Sequence, residues 1–300
     1  MTRGMAADNR PATALALAGS TLRRVEATWV REPMAFEDLA GAVSLAEETG
    51  YASVWVPDHG VWEPFTLLGA MARRTSRIGL GTGVVTVASR APAEIAAAAR
   101  TLDLVSGGRA ILGVGSGSER RVVVVAERIA ELAEALGDGI PRYLAALGPA
   151  MVELAGRAAD GVLLNWCSPE RVARARLEVG RGAEAEGRDP SHVTVAVYVR
   201  ACLGHDQEHA LAALREAAEP YAAIPTYRRQ LEADGIEQSP GEMARALCVW
   251  GDRDDALERL GAWRDAGADL LVVYPVPAQE PVSSLVGTIM ASAPDPAVER

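Results

Sequence analysis

The chain has 300 residues, 49 % of them hydrophobic but only 5 % aromatic, so there is ample material for a core and that core must be built mainly from Ala, Val and Leu. A formal net charge of −10 argues against nucleic acid and anionic membrane as main partners. All 30 basic residues are arginine, which removes lysine Schiff-base chemistry and leaves arginine or backbone N–H to meet any anionic group.

In chain order, the stretch after Arg3 and Arg10 has an apolar core of about eight residues, at the low end for a signal peptide, and it alternates like a strand. Residues 13–18 (TALALA) are therefore read as strand one. Residues 36–49 form an amphipathic helix closed by Gly50 at C′. Strand two, 51–57 (YASVWVP), is apolar enough to be buried on both faces and ends in Asp58-His59-Gly60, polar groups just past a carboxyl end. A helix follows over 63–74.

The next stretch, 77–117, organises the chain. RIGLGTGVV and GGRAILGVGSG are apolar, glycine-punctuated strands separated by a helix over 91–105, a spacing that serves a parallel crossover rather than a hairpin. Gly81, Gly83, Gly113, Gly115 and Gly117 cluster at the strand ends, where glycine would let a flat ligand or a phosphate approach the backbone. Beyond lie a helix over 119–136, strand five at 142–147, a helix opened by Gly148-Pro149 with Pro at its first position, and strand six at 161–165. A helix over 169–186, strand seven at 193–200 and two polar helices within 206–233 follow. Asp252 caps a helix to 266, and 270–274 is strand eight.

Eight strands alternating with helices, without a Pro/Ser linker or internal repeat, point to a single (β/α)8 TIM barrel spanning 1–300. A doubly wound sheet is the alternative. Against it, GVGSGS lacks the last glycine of G-x-G-x-x-G and follows the fourth strand rather than the first. Cys167, Cys202 and Cys248 are odd in number and widely spaced, which fits reduced thiols in a cytoplasmic protein. His205 and His209 are i, i+4 but open a polar helix, and no metal is expected. No apolar run reaches transmembrane length.

The segments YASVWVPDHG, RIGLGTGVV, LDLVSGGRAILGVGSG, RYLAALGP with LAGRAADGVLLNW, and AGADLLVVYPV together resemble the bacterial luciferase-like superfamily, in particular its coenzyme F420-dependent branch. The resemblance covers nearly the whole chain. It implies a TIM barrel that binds F420 or FMN at its carboxyl face, usually as a homodimer, with hydride or oxygen chemistry at the ring and a small-molecule substrate. It also implies His59 as acid/base with Asp58 as its tuner and a cofactor contact, chemistry to which imidazole is suited near neutral pH. Gly83-Val84 match a non-prolyl cis peptide bulge behind the ring. Gly115, Ser116 and Gly117 would line the same face, and Glu119 resembles an acidic residue after that run, although a first-turn helix carboxylate is an equal reading. Ala146-Leu147-Gly148-Pro149 match the turn that holds the cofactor phosphate, where free N–H groups and a helix dipole make an anion site without lysine. Trp62 and Trp166 are candidate pocket aromatics, and Asn165 is typical of the branch.

Two departures stand out. Only one helix joins strands four and five, where members usually carry a long insertion, so a short or absent lid and a solvent-accessible ring are expected. Members acting on sugar phosphates use lysines, and this chain has none, so that substrate class is disfavoured. Arg73, Arg74, Arg77, Arg90 and Arg142 are candidates to meet the anionic F420 tail. The leading expectation is an F420-dependent oxidoreductase moving a hydride to or from a small organic substrate; the alternatives are an FMN monooxygenase and a cofactor-binding barrel without catalysis.

Overall fold

The computed structural model describes residues 24–28, 35–58, 62–278 and 280–294. It is an α/β fold built on a curled parallel sheet. The strands are β1 (Arg24–Thr28), β2 (Ser53–Val56), β3 (Gly79–Thr82), β4 (Val85–Thr86), β5 (Ala110–Gly115), β6 (Arg142–Ala145), β7 (Gly161–Asn165), β8 (Thr194–Leu203), β9 (Cys248–Gly251) and β10 (Leu270–Pro275). Their neighbour order is β10-β1-β2-β3-β5-β6-β7-β8-β9, β4 pairs with β5, and β10 pairs with β8 as well as β1.

The expected strand one, 13–18, lies outside the described residues. The strand that pairs with β2 and β10 is Arg24–Thr28. The expected third strand is divided into β3 and β4 by a cis peptide between Gly83 and Val84, as the resemblance implied. One strand and two helices went unread in the sequence: β9, Pro240–Leu247 and Pro281–Ala291. The helix after β5 begins at Val122, three residues later than expected, because Glu119 takes up the amides of Arg120 and Arg121. That helix is the single element between β5 and β6.

Two packed layers position the site. Between sheet and helices lies an aliphatic layer that includes Val54, Leu80, Leu112, Leu144, Val162 and Val197, as near-continuous apolar strands require. Inside the curl, Trp55, Ile111, Tyr143, Leu163, Ala196 and Tyr198 form a second cluster, with Trp55 and Tyr143 edge-on at 5.3 Å. Aromatic rings fit inside because neighbouring strand positions are glycine: a Cβ at Gly81 would stand 2.8 Å from the Trp55 ring. At β8 the neighbours change along the strand. Residues 194–198 pair with β7 and residues 200–203 with β9, so Arg200 stands where the neighbour changes, paired with Cys248 on β9 and Tyr274 on β10. A third cluster, with Trp166, Cys202, Leu214, Met243 and Trp250, fills the space beneath the helices that follow β8.

Candidate active site

A cavity of about 650 Å³ opens at the carboxyl ends of the strands. Asp58 enters it after β2, Gly83 and Val84 from the cis bulge, Gly115, Ser116, Gly117 and Glu119 after β5, and Ala146, Leu147, Gly148 and Pro149 after β6. All ten residues implied as cofactor contacts therefore line one space. His59 lies outside the described residues.

The glycines that line the cavity also do a second job: most accommodate protein atoms that shape the bulge. A Cβ at Gly83 would stand 1.9 Å from the Tyr198 hydroxyl, and one at Gly113 would stand 2.1 Å from the Thr82 carbonyl. Thr82 closes that contact by donating from its hydroxyl to the Gly113 carbonyl at 2.8 Å, while accepting from the Gly113 amide at 3.0 Å. Tyr198 donates to the Gly83 carbonyl at 3.3 Å, so the interior aromatic cluster supports the bulge from behind. Gly117 has φ +63°, a conformation that favours glycine. Gly148, in the turn before helix Pro149–Ala158, differs: a Cβ there meets nothing within 4 Å, although the residue lines the cavity.

The turn 146–149 has the features of an anion site. Gly148 is the N-cap of helix Pro149–Ala158 and Pro149 its first residue. The amides of Leu147, Gly148 and Ala150 have no acceptor among the described residues. The Leu147 carbonyl is occupied from the other side, accepting from Arg171 at 2.8 and 3.2 Å, and buried Arg171 is in turn paired with Glu178 at 2.7 Å. Free donors and the helix dipole are thus held in place by an ion pair that does not reach the cavity.

Asp58 is paired with Arg90 at 3.0 Å, and the other Arg90 nitrogen meets Glu63, the N-cap of helix Pro64–Ala72, at 2.8 Å. Arg90 is thereby committed to two carboxylates. The other arginines proposed for an anionic tail do not converge on the cavity. Arg73 and Arg74 follow a helix that runs away from it, and Arg77 and Arg142 stand at strand starts, with Arg74 paired to Glu37 and Arg142 to Asp160. The arginines that do line the cavity are Arg120 and Arg229, both exposed and without an ion pair among the described residues.

Glu119 lines the cavity but its carboxylate is engaged. Hydrogen bonds from the Arg121 guanidinium, with the Arg121 and Arg120 amides, hold its pKa down to about 2. Trp62 is 38 % exposed and is not a wall residue, because the chain turns there into helix Pro64–Ala72. Trp166, at φ 51°, is buried behind the wall instead of in it, with its ring 5.2 Å from that of Tyr221. The cavity is also not simply open for want of an insertion after β5. Tyr221, Ile224, Thr226, Tyr227 and Arg229, from the helices that follow β8, supply a wall facing the glycine-rich one. Residues 221–233 are the segment that sequence reasoning offers as a substitute cover for the ring, but it singled out none of these side chains, and it missed Arg200. Two signals were available: an arginine inside the apolar run TVAVYVRACL, and tyrosines in polar helices of a chain poor in aromatics.

Among the described residues, no helix is long and apolar enough to cross a membrane, and no group of three or more His, Cys, Asp or Glu could hold a metal. The family model described as luciferase-like monooxygenase matches residues 15–137 and 121–270. The chain belongs to this family. This luciferase-like protein is 31 % identical over 267 residues to 5,10-methylenetetrahydromethanopterin reductase of Methanolobus tindarius, covering 77 % of this chain and 73 % of the relative. It is 30 % identical over 293 residues to F420-dependent glucose-6-phosphate dehydrogenase of Amycolatopsis mediterranei, covering 79 % and 88 %. In structure it is similar to the coenzyme F420 dependent tetrahydromethanopterin reductase of Methanopyrus kandleri, with TM-score 0.77 and 22 % identity over 90 % of this chain and 97 % of that one, a likeness of fold.

Proposed function

We propose that this luciferase-like chain is an F420-dependent oxidoreductase acting on a small organic substrate, and that its curled sheet is a (β/α)8 barrel forming one domain. The observation that carries the reading is the meeting, in one cavity, of the Gly83-Val84 bulge, the Gly115–Gly117 backbone and the free amides before helix Pro149–Ala158. Those features fit a flat ring joined to a phosphate. When bound, F420 supplies or accepts the hydride.

The rest is done by the protein. Amides of Leu147, Gly148 and Ala150 bind the phosphate, with the dipole of the helix behind them. The bulge, held by Tyr198 and Thr82, supports the ring, and Gly115, Ser116 and Gly117 border it. His59 moves the proton at the substrate oxygen. Asp58, its neighbour in sequence, is the tuner that the family resemblance implies, and it is held by Arg90. Glu119 serves as a charged carboxylate that shapes the wall, since a group with its pKa near 2 holds no proton to give at neutral pH. Without lysine, the chain has no counterpart of the groups that lysine-using members offer a sugar phosphate. A cytoplasmic homodimer belongs to the same reading, and light scattering of the purified protein tests the assembly.

Titration of the purified protein with F420 and with FMN, at low and moderate salt, tests the assignment. Tighter binding of F420 is expected. Preference for FMN would move the chain to a flavin monooxygenase, and F420 binding without turnover of any acceptor would make it a cofactor-binding barrel.

A further inference from the structure

Arg200 is the anomaly of β8. It is 4 % exposed in an otherwise apolar strand, and no carboxylate pairs with it among the described residues. Three aromatic rings surround its guanidinium instead, with centroids at 4.3 Å for Trp166, 4.8 Å for Tyr274 and 5.3 Å for Tyr221. Its Nη1 donates to Oδ1 of Asn165. Asn165 Nδ2 then donates to the Tyr227 hydroxyl at 2.6 Å.

The direction of this chain is fixed by chemistry. A guanidinium has donors and no acceptor, so the Asn165 amide must turn its oxygen to Arg200 and its nitrogen to Tyr227. The amide nitrogen in turn only donates, so the phenol oxygen must accept. The Tyr227 proton is left over, with no acceptor among the described residues, and both Asn165 and Tyr227 line the cavity. Desolvation by burial pushes the Tyr227 phenol up, so it stays protonated across the neutral range.

We infer that Tyr227 offers its O–H to an acceptor oxygen of the substrate, a carbonyl or the corresponding alcohol oxygen, and so selects for it, with Arg200 and Asn165 as positioning residues. The inference rests on the reading of the cavity as the active site. In reduction of such a carbonyl, the hydride forms the new C–H bond, the C=O π pair moves onto oxygen, and a proton from His59 completes the alcohol as the cofactor is oxidised. Tyr227 stabilises the charge that grows on that oxygen, and this contribution is larger in the transition state than in the bound ketone.

The probes are cyclohexanone and methylenecyclohexane, which have similar shape but differ in the acceptor oxygen. Their binding is measured by calorimetry, and the carbonyl stretch of bound 13C-labelled cyclohexanone by isotope-edited infrared spectroscopy. The wild type should bind the ketone more tightly than the alkene. Tyr227→Phe should weaken the ketone roughly three- to tenfold, the worth of one hydrogen bond, and move its carbonyl stretch to higher wavenumber. Asn165→Asp reverses the chain, because a carboxylate accepts from both Arg200 and Tyr227 and draws the phenol proton inward. It should lose as much as Tyr227→Phe, and the double variant should lose no more, a non-additivity that loosened packing would not produce. Equal binding of ketone and alkene by the wild type, no binding of either, or an unchanged affinity and stretch in Tyr227→Phe would overturn the inference. An F420 titration run in parallel keeps the two readings apart: a wild type that ignores F420 refutes the oxidoreductase assignment while the ketone comparison still reads on Tyr227.

Discussion

The two walls of the cavity are made differently. On one side, β3, β4 and β5 offer backbone: a cis bulge, glycines at close contacts, and hydroxyls of Thr82 and Tyr198 holding carbonyls from behind. On the other, β7, β8 and the helices after β8 offer side chains: Asn165, Tyr221, Tyr227 and the buried Arg200 behind them. A backbone surface recognises what every turnover shares, and its precision comes from steric limits that few residues satisfy. A side-chain surface is set by identity and can be exchanged without moving a strand. On the proposed reading, the first wall takes the cofactor and the second the substrate.

The largest effect expected is on His59, which follows β2 in the sequence. His59→Ala should lower turnover about 10²- to 10⁴-fold, the usual worth of a general acid or base, with F420 affinity within a few-fold. An unchanged rate would take His59 out of the mechanism.

A pair of glycine substitutions then probes the backbone wall itself. At Gly113 the new methyl would meet the Thr82 carbonyl, a backbone atom that cannot swing aside, and overpacking of this kind costs about 1–3 kcal/mol. Gly113→Ala should therefore lower both Tm and F420 affinity. At Gly148, with open space around the Cβ position and an N-cap φ of −84°, Gly148→Ala should leave Tm alone and weaken only F420 binding. If both variants behaved alike in thermal melts and titrations, the distinction between glycines that hold the wall and one that faces the ligand would fail.

Smaller effects belong to the charged rim. Arg120→Gln with Arg229→Gln should cost a few-fold in F420 affinity at low salt and flatten its salt dependence, whereas Arg142→Gln, at the far end of its strand, should do neither. The smallest is Glu119. Because its folded pKa lies below the unfolded carboxylate value, its contribution to stability is present above the ordinary carboxylate range and is lost as pH falls toward about 2. Glu119→Gln should accordingly alter acid unfolding slightly and leave the pH–rate profile between 6 and 8 unchanged, as about two pH units or more separate that window from any carboxylate titration.

Much of the first wall was legible in the sequence. Its strands are continuous apolar runs such as RIGLGTGVV and GGRAILGVGSG, and the motif resemblance placed Gly83-Val84 and Ala146–Pro149 in a single site. What could not be read were partners fixed by tertiary structure. The pairing of Arg90 with Asp58 spans 32 residues, and the arginines near the carboxyl face are separated from those at strand starts only once strand direction is known. Of the second wall the sequence offered Asn165, by resemblance, and residues 221–233 as a possible cover, but neither the individual tyrosines nor Arg200. Tyr221 sits in a polar helix packed on β8 and β9, and Tyr227 in the helix packed against that one, while β9, with four residues, is too short for its period to be read. Helix Pro281–Ala291 escaped because two serines and a glycine dilute its helical tendency.

The three thiols lend the second wall a property of another kind. Cys167, Cys202 and Cys248 all lie in or beside β7, β8 and β9, and burial pushes each of their pKa values up to about 12. The reacting species in disulfide exchange is the thiolate, and relative to a free cysteine near 8.5 such a shift leaves roughly a thousandfold less of it at pH 8. Labelling by an aromatic disulfide reagent must then wait for this side of the molecule to open. Its rate is a clock for transient exposure of the side-chain wall, while the backbone wall, which carries no thiol, stays silent; saturation with a ligand that settles against Tyr227 would slow the clock.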